Sequence, residues 1–453
     1  MVSDVGGLTV GGRRPGLPVQ RVFLYGELWY RAVAAALTLA DTGERSVPEA
    51  LGAANRAGDG ILARGYEGVK WGRLDAVRPR RRPLTAAPPL RVAVIGHTGR
   101  GNYGHDRGAG DAAEGRVQAV ADPDAAGRTG ALQRTGAPRG YAAYEELLRQ
   151  ERPDLVCVCP RWCDQREAMV LAAVDAGARG IFCEKPFAAT PAAADRMLAA
   201  CERRGVTVLV AHRGRETPYF RWARRLIEQE IGPLQVMRGH GKADRRSGPE
   251  DTAVLGTHVL DQMRSFAGDV SWAFGHLTQD GREVTAADVR DGPEGLGQIA
   301  GNGLAAYYAF RNGVTAHFES LPGEGGGSRW FGLELHCARG IIALRNFPTG
   351  EVYRYPHGLW TPAPEAGAWE RVSLPEWETV PPAGRMDESN RRYALALLEA
   401  IAEGRPPEGV STGRDALAAL EMVLAPAESQ RLGGRVAFPL AARGNPYAAL
   451  SAP

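Results

Sequence analysis

From Leu90 onward, short and almost continuously apolar runs alternate with stretches whose apolar positions recur every three to four residues. The runs are Arg91–Ile95, Arg116–Ala121, Asp154–Cys159, Gly180–Cys183 and Val206–Ala211, and the helix-period stretches lie at about 143–151, 164–177, 191–204 and 217–230. A strand that is apolar on both faces is covered on both faces, so this order predicts a parallel sheet wound with helices on either side. After Gly232 the texture changes: Leu234–Gly241, Ser271–Thr278, Leu304–Phe310, Val314–Ser320 and Phe331–His336 read as strands, with Asn312-Gly313 as a turn between two of them. These predict an open, largely antiparallel sheet. Helices at about 387–403 and 412–429 close the chain. The expected class is α/β, with a doubly wound domain over 90–230 and an α+β domain over 231–445.

Residues 1–89 differ in texture. They begin Gly-rich, hold two possible helices near 28–40 and 47–63, and end in Arg78-Pro79-Arg80-Arg81-Arg82-Pro83, a linker composition. They show no chemical constellation, and the arginine cluster reads as linker rather than as a nucleic-acid patch. A net charge of +3 argues against nucleic acid and anionic membranes as partners. No apolar run reaches the ~18 residues of a membrane span. Ala32–Ala40 begins too late for a signal-peptide core and follows Glu27, so a cytoplasmic protein is expected. The six cysteines form no CxxC pair and fit buried thiols in a reducing compartment. Cys157-x-Cys159 has no histidine at ligand spacing, so no metal is expected.

The first strand runs into Gly96-His97-Thr98-Gly99-Arg100-Gly101-Asn102-Tyr103-Gly104. Glycines there allow a tight turn and a close approach of backbone N–H groups to a pyrophosphate, the logic of a Rossmann dinucleotide-binding domain. Thr98 stands at the second glycine position of a GxGxxG pattern, so Gly96, Gly99 and Gly101, or a register shifted to Gly104, carry the match. At the tip of the second strand Asp122 can accept hydrogen bonds from a ribose hydroxyl and would repel a 2′-phosphate, which favours NAD over NADP. Its alternative role is a helix N-cap ahead of Pro123. Lys185 is one of three lysines among 55 basic residues and ends the buried run Ile181-Phe182-Cys183-Glu184-Lys185-Pro186. A lysine amine can lose its proton when desolvated, whereas arginine stays charged, so Lys185 is a candidate acid/base. Glu184 points to the opposite face of the strand.

From residue 90 to about 445 the chain resembles the glucose–fructose oxidoreductase / inositol dehydrogenase / rhizopine-catabolism family. The resemblance rests on Cys183-Glu184-Lys185-Pro186, Asn390-Arg391-Arg392-Tyr393, the run Ala400–Pro407, and Phe438-Pro439-Leu440. It implies that Lys185 is catalytic and that Glu184 lies on the cofactor side, with an ion pair to a neighbouring loop as the alternative for Glu184. It also implies an Asp and a His four residues apart on a helix. His258 fits the histidine, but Val254 stands where the acid belongs, leaving Asp251 or Asp261 to orient His258. Arg215 and His212, after the last Rossmann strand, are candidate substrate ligands. Arg166, where relatives carry histidine, reads as a solvated helix charge.

The function implied is an NAD-dependent oxidoreductase acting on a sugar, polyol or related hydroxy compound. Two alternatives stay open: an NAD-dependent glycosidase working by transient oxidation and elimination, and a dinucleotide-binding protein without chemistry. Such folds also imply a homo-oligomer joined through the open sheet.

Overall fold

The structure, a computed structural model, describes residues 90–96, 117–323, 331–345, 350–357, 368–381, 384–404 and 407–450. The expectations for residues 1–89 and for Thr98, Gly99 and Gly101 lie outside the described residues.

Six strands, β1 (Val92–Ile95), β2 (Val117–Ala121), β3 (Arg139–Tyr141), β4 (Leu155–Val158), β5 (Gly180–Cys183) and β6 (Thr207–Val210), pair in parallel in the order β3-β2-β1-β4-β5-β6. That is the doubly wound dinucleotide-binding order, with its reversal point beside β1. Side chains alternate between two cores, as the strand period requires. Ala93, Ile95, Val156, Val158 and Ile181 face one core with α2 (Tyr144–Glu151), α3 (Arg166–Asp175) and α4 (Pro191–Arg204). Val92, Val94, Leu155, Cys157 and Phe182 face the other, with α1 (Ala125–Thr135) and a late helix, Arg385–Glu403. Local chemistry sets the helix ends. In α4 the Thr190 side chain accepts from Ala193 N–H and Pro191 opens the first turn, while Gly205 closes the helix at φ 66°.

The second domain begins after α5 (Pro218–Leu226) with β7 (Leu234–His240). Gly248–Asp251, a π turn Thr252–Gly256 and α6 (Thr257–Ala267) then follow one another without a break, ahead of β8 (Val270–Gln279). In the large sheet β7 pairs in parallel with Thr315–Ser320, and its other side takes Gly332–Cys337 antiparallel. The remaining pairings in this sheet are antiparallel, including β8 with Gly303–Phe310. One face is covered by α6 and by the helix Gly413–Leu432. Gly275 lets Pro426 of that helix approach so closely that a Cβ would lie 2.3 Å from the proline Cα. On the opposite face Trp272 packs against Tyr307 with ring centroids 5.3 Å apart and the planes tilted by 32°, and Phe274 is 49% exposed.

Arg385–Glu403 returns to the first domain, where Tyr393 stacks on Phe182 at 5.9 Å. Residues far along the chain thus complete the core of the parallel sheet.

Candidate active site

The carboxyl edge of the parallel sheet collects the chemistry. Gly96 follows β1 and donates its N–H to the Ala121 carbonyl at 2.8 Å. Beside it a cavity of about 280 Å³ is lined by Gly96, Ala121, Pro123, Tyr144 and Met169. It lies where the strand order reverses, the position at which open α/β sheets bind their ligands. Asp122 is fully buried at the tip of β2, and its Oδ1 accepts the Asp124 N–H at 2.9 Å. The N-cap of α1 is Asp124, whose Oδ2 accepts Gly127 N–H at 2.6 Å, so capping does not fall to Asp122. The cavity thus opens at the reversal point beside the second strand tip, where the sequence leads one to expect the ribose-binding carboxylate.

Lys185 leaves β5 through a cis bond to Pro186 and is 6% exposed. Its Nζ donates to the Val254 carbonyl at 2.6 Å. Burial lowers its pKa to about 8, opposed by Glu184 and assisted by the positive charge of Arg213. Val254, the residue standing where a carboxylate was expected, thus meets the lysine through its backbone. It lies in the π turn, a local widening of the helix that often marks functional positions.

His258 comes one turn later, half-buried, and its ring meets that of His212 edge-on at 5.6 Å. Burial and the charges of Lys185, His212 and Arg213 push its pKa well below the usual histidine value, so it is neutral at physiological pH. Neither candidate acid orients it. Asp251 accepts from Ser320 Oγ at 2.7 Å and from Ala243 N–H at 3.2 Å. Asp261 is clamped by Arg215, with Nη2 to Oδ1 at 2.6 Å and Nε to Oδ2 at 2.8 Å.

The other candidates form a supporting layer. Arg215 is buried, spends two donors on Asp261 and also lies 3.4 Å from Asp415. His212 is buried with both ring nitrogens engaged, Nδ1 with Ser411 Oγ at 3.1 Å and Nε2 with Thr257 Oγ1 at 3.0 Å. Ser411 Oγ also donates to Asp261 Oδ1 at 2.9 Å, joining the pieces into one network. Glu184 pairs with Arg213 at 3.3 Å and accepts the Lys185 N–H at 3.1 Å. Its alternative role, an ion pair holding a neighbouring loop, is therefore present in the structure.

Arg166 corrects an expectation. It is 1% exposed rather than solvated. Its guanidinium donates to the carbonyls of Pro160 and Pro186, and to those of Arg161 at 3.3 Å and Trp162 at 3.2 Å. Only a planar group with several fixed donors can gather carbonyls from two strand ends in this way. Sequence reading also passed over Arg213, buried against Glu184, and Glu294, whose surroundings belong to a distant hairpin. Their long-range partners gave no local signal.

A doubly wound sheet with a ligand cavity at its reversal point, and a desolvated lysine at the same edge, defines a dinucleotide-dependent oxidoreductase. Residues 90–212 match the family model described as "Oxidoreductase family, NAD-binding Rossmann fold". Over these residues the chain is similar to this family, that of glucose–fructose oxidoreductase, inositol dehydrogenase and the rhizopine-catabolism proteins. It is 29% identical over 339 residues to D-apiose dehydrogenase of Paraburkholderia graminis, covering 71% of this chain and 82% of that protein. It is 25% identical over 301 residues to levoglucosan dehydrogenase of Pseudarthrobacter phenanthrenivorans, covering 56% and 75%. Among solved structures, levoglucosan dehydrogenase in complex with NADH and L-sorbose superposes with a TM-score of 0.61 at 19% identity, covering 78% of this chain and 99% of that one. An NAD-binding oxidoreductase from Klebsiella pneumoniae gives a TM-score of 0.61 at 18% identity, covering 77% and 99%. These last two likenesses establish the fold.

Proposed function

We propose that this chain is a sugar or polyol dehydrogenase in which Lys185 is the acid/base. The observation that carries the reading is a buried amine with its pKa lowered to about 8, held by the Val254 carbonyl at the carboxyl edge of a dinucleotide-binding sheet. When bound, a nicotinamide supplies the hydride acceptor; Gly96 and Asp122 would hold its dinucleotide, with Thr98, Gly99 and Gly101 assigned by sequence alone.

The neutral Lys185 amine takes the proton of the substrate carbinol as its C–H bond yields hydride. The Val254 carbonyl fixes the direction of Nζ, and a fixed direction is the larger part of what such a site contributes. Arg213 disfavours the ammonium form and so promotes return of the proton to solvent. Neutral His258 can donate from one ring nitrogen and accept at the other, orienting a substrate hydroxyl without taking net charge. His212, Arg215 and Asp261 act as positioning residues for the helix that carries His258.

The open sheet face, with Trp272, Tyr307 and exposed Phe274, is assigned to self-association: adjoining aromatic side chains left in water favour burial against a second copy. None of the six cysteines forms a disulfide and all are buried, which supports a reducing, cytoplasmic setting.

The reading is tested by following NADH absorbance with a panel of sugars and polyols, including levoglucosan, D-xylose, D-apiose and myo-inositol. Net NADH formation with a panel member supports it. Silence across the panel, with aglycone released from aryl glycosides and no net NADH, points instead to hydrolysis by transient oxidation.

A further inference from the structure

A short hairpin of the second domain, Val289–Asp291 paired with Gln298–Ala300, places its tip on the first domain. Cys163 donates its N–H to the Glu294 carbonyl at 2.9 Å and its Sγ–H to the Gly295 carbonyl at 3.0 Å. A Cβ on Gly295 would lie 2.7 Å from Asp164 N, so the tip sits flush against the loop that follows β4. This is the loop whose carbonyls Arg166 gathers together with that of Pro186, the residue after Lys185. The hairpin tip and the lysine therefore share one rigid edge.

Glu294 stands on that tip at φ 59°, a left-handed conformation in which a glutamate costs about 1–3 kcal/mol. Its side chain is buried, with the residue 5% exposed. Oε1 lies 3.0 Å from Arg161 Nε, while Oε2 is buried with no hydrogen-bond partner among the described residues. A carboxylate oxygen withdrawn from water and left without a donor is destabilising unless a ligand supplies one. Its charge acts on Lys185, Arg246 and Glu250, which places the carboxylate within electrostatic reach of the lysine. Strain, burial and an unmet acceptor together mark a site built for something that binds.

We infer that Glu294 is a specificity-determining substrate ligand, its Oε2 accepting a hydrogen bond from a substrate hydroxyl beside the carbinol presented to Lys185. This rests on the sugar or polyol reading. A ligand with several neighbouring hydroxyls satisfies the carboxylate, whereas one lacking the matching hydroxyl leaves it buried and unpaired. Discrimination against such an analogue reaches about 10⁴-fold in sites built this way.

The experiment uses the full chain as wild type, Glu294→Gln and Glu294→Ala, with the panel member oxidised fastest and its monodeoxy analogues. NADH titration by fluorescence verifies that each variant still binds dinucleotide, and Glu294→Gln, nearly equal in volume, serves if Glu294→Ala does not fold. In the wild type one deoxy analogue is expected to lose about 100-fold or more in kcat/KM. Either variant should bring the parent sugar down toward that level while the same deoxy analogue loses little further. Equal deoxy penalties in wild type and variant overturn the assignment, because a merely structural glutamate would scale all substrates alike. If the wild type oxidises no panel member, the sugar or polyol reading falls and this assignment with it; an active wild type with unaltered selectivity in the variants removes only the role of Glu294.

Discussion

Replacing Lys185 by methionine removes the amine and keeps most of its length and apolar contact. The lysine pKa falls from 10.5 to about 8. At pH 7 that shift raises the neutral fraction about 300-fold, to roughly one molecule in ten. Wild-type kcat/KM for alcohol oxidation should therefore climb with pH and level off above about 8, while Lys185→Met should lose about 10²–10⁴-fold and the ascending limb with it. Stability gives a second readout. The folded pKa lies below the unfolded one, so between about 8 and 10.5 the unfolded chain binds more protons and stability rises with pH. Below both values the buried ammonium costs about 3 kcal/mol relative to its neutral form. Urea titrations of wild type and Lys185→Met from pH 7 to 10 should show the wild type gaining on the variant by about that amount. A constant stability difference across this range, or an ascending limb that survives in Lys185→Met, would refute the reasoning.

His258→Asn keeps a hydrogen-bonding group but cannot titrate; kcat/KM should fall about 10²-fold with the ascending limb unmoved, and a displaced limb would assign the titration to His258 instead. Arg215→Met strands the buried Asp261 carboxylate and should cost about 3–5 kcal/mol in denaturant titrations with little change in KM; a raised KM at unchanged stability would make Arg215 a substrate ligand. Asp122→Ser should raise KM for NAD and improve relative use of NADP, read as the ratio of the two kcat/KM values, and an unchanged ratio would remove Asp122 from the ribose site.

The parallel sheet was legible because its strands are buried on both faces: Gly180–Cys183 was placed to the residue, and α4 over 191–204 likewise. What escaped had weak patterns. Helix α1, with Gly127 and Gly130 inside it, buries only Ala131 and Thr135, and β3 is a three-residue edge strand with two exposed positions. The late strands Gly340–Arg345 and Val352–Tyr355 were passed over as well. At the site, Lys185 stood out because its burial follows from adjacent residues. Arg166 did not, because a buried arginine and a solvated one look alike until the carbonyls around it are known. Asp251 and Asp261 were plausible partners of His258 by spacing alone, yet each is bonded elsewhere by a residue remote in sequence, Ser320 to Asp251 Oδ2 and Arg215 to Asp261.

The Nζ contact to Val254 changes what kind of mutation can damage this site. Every amino acid carries a carbonyl, so the genetic code cannot remove that acceptor by exchanging one side chain for another. Surveys of residue identity at position 254 would find it permissive, limited only by bulk in a buried place. The vulnerable quantity is chain length across Thr252–Gly256. Deleting one residue there would restore ordinary helical winding, rotate the carbonyl away from the amine and leave nearly every named residue in place. Insertions and deletions, more than substitutions, are the changes to which this acceptor is exposed.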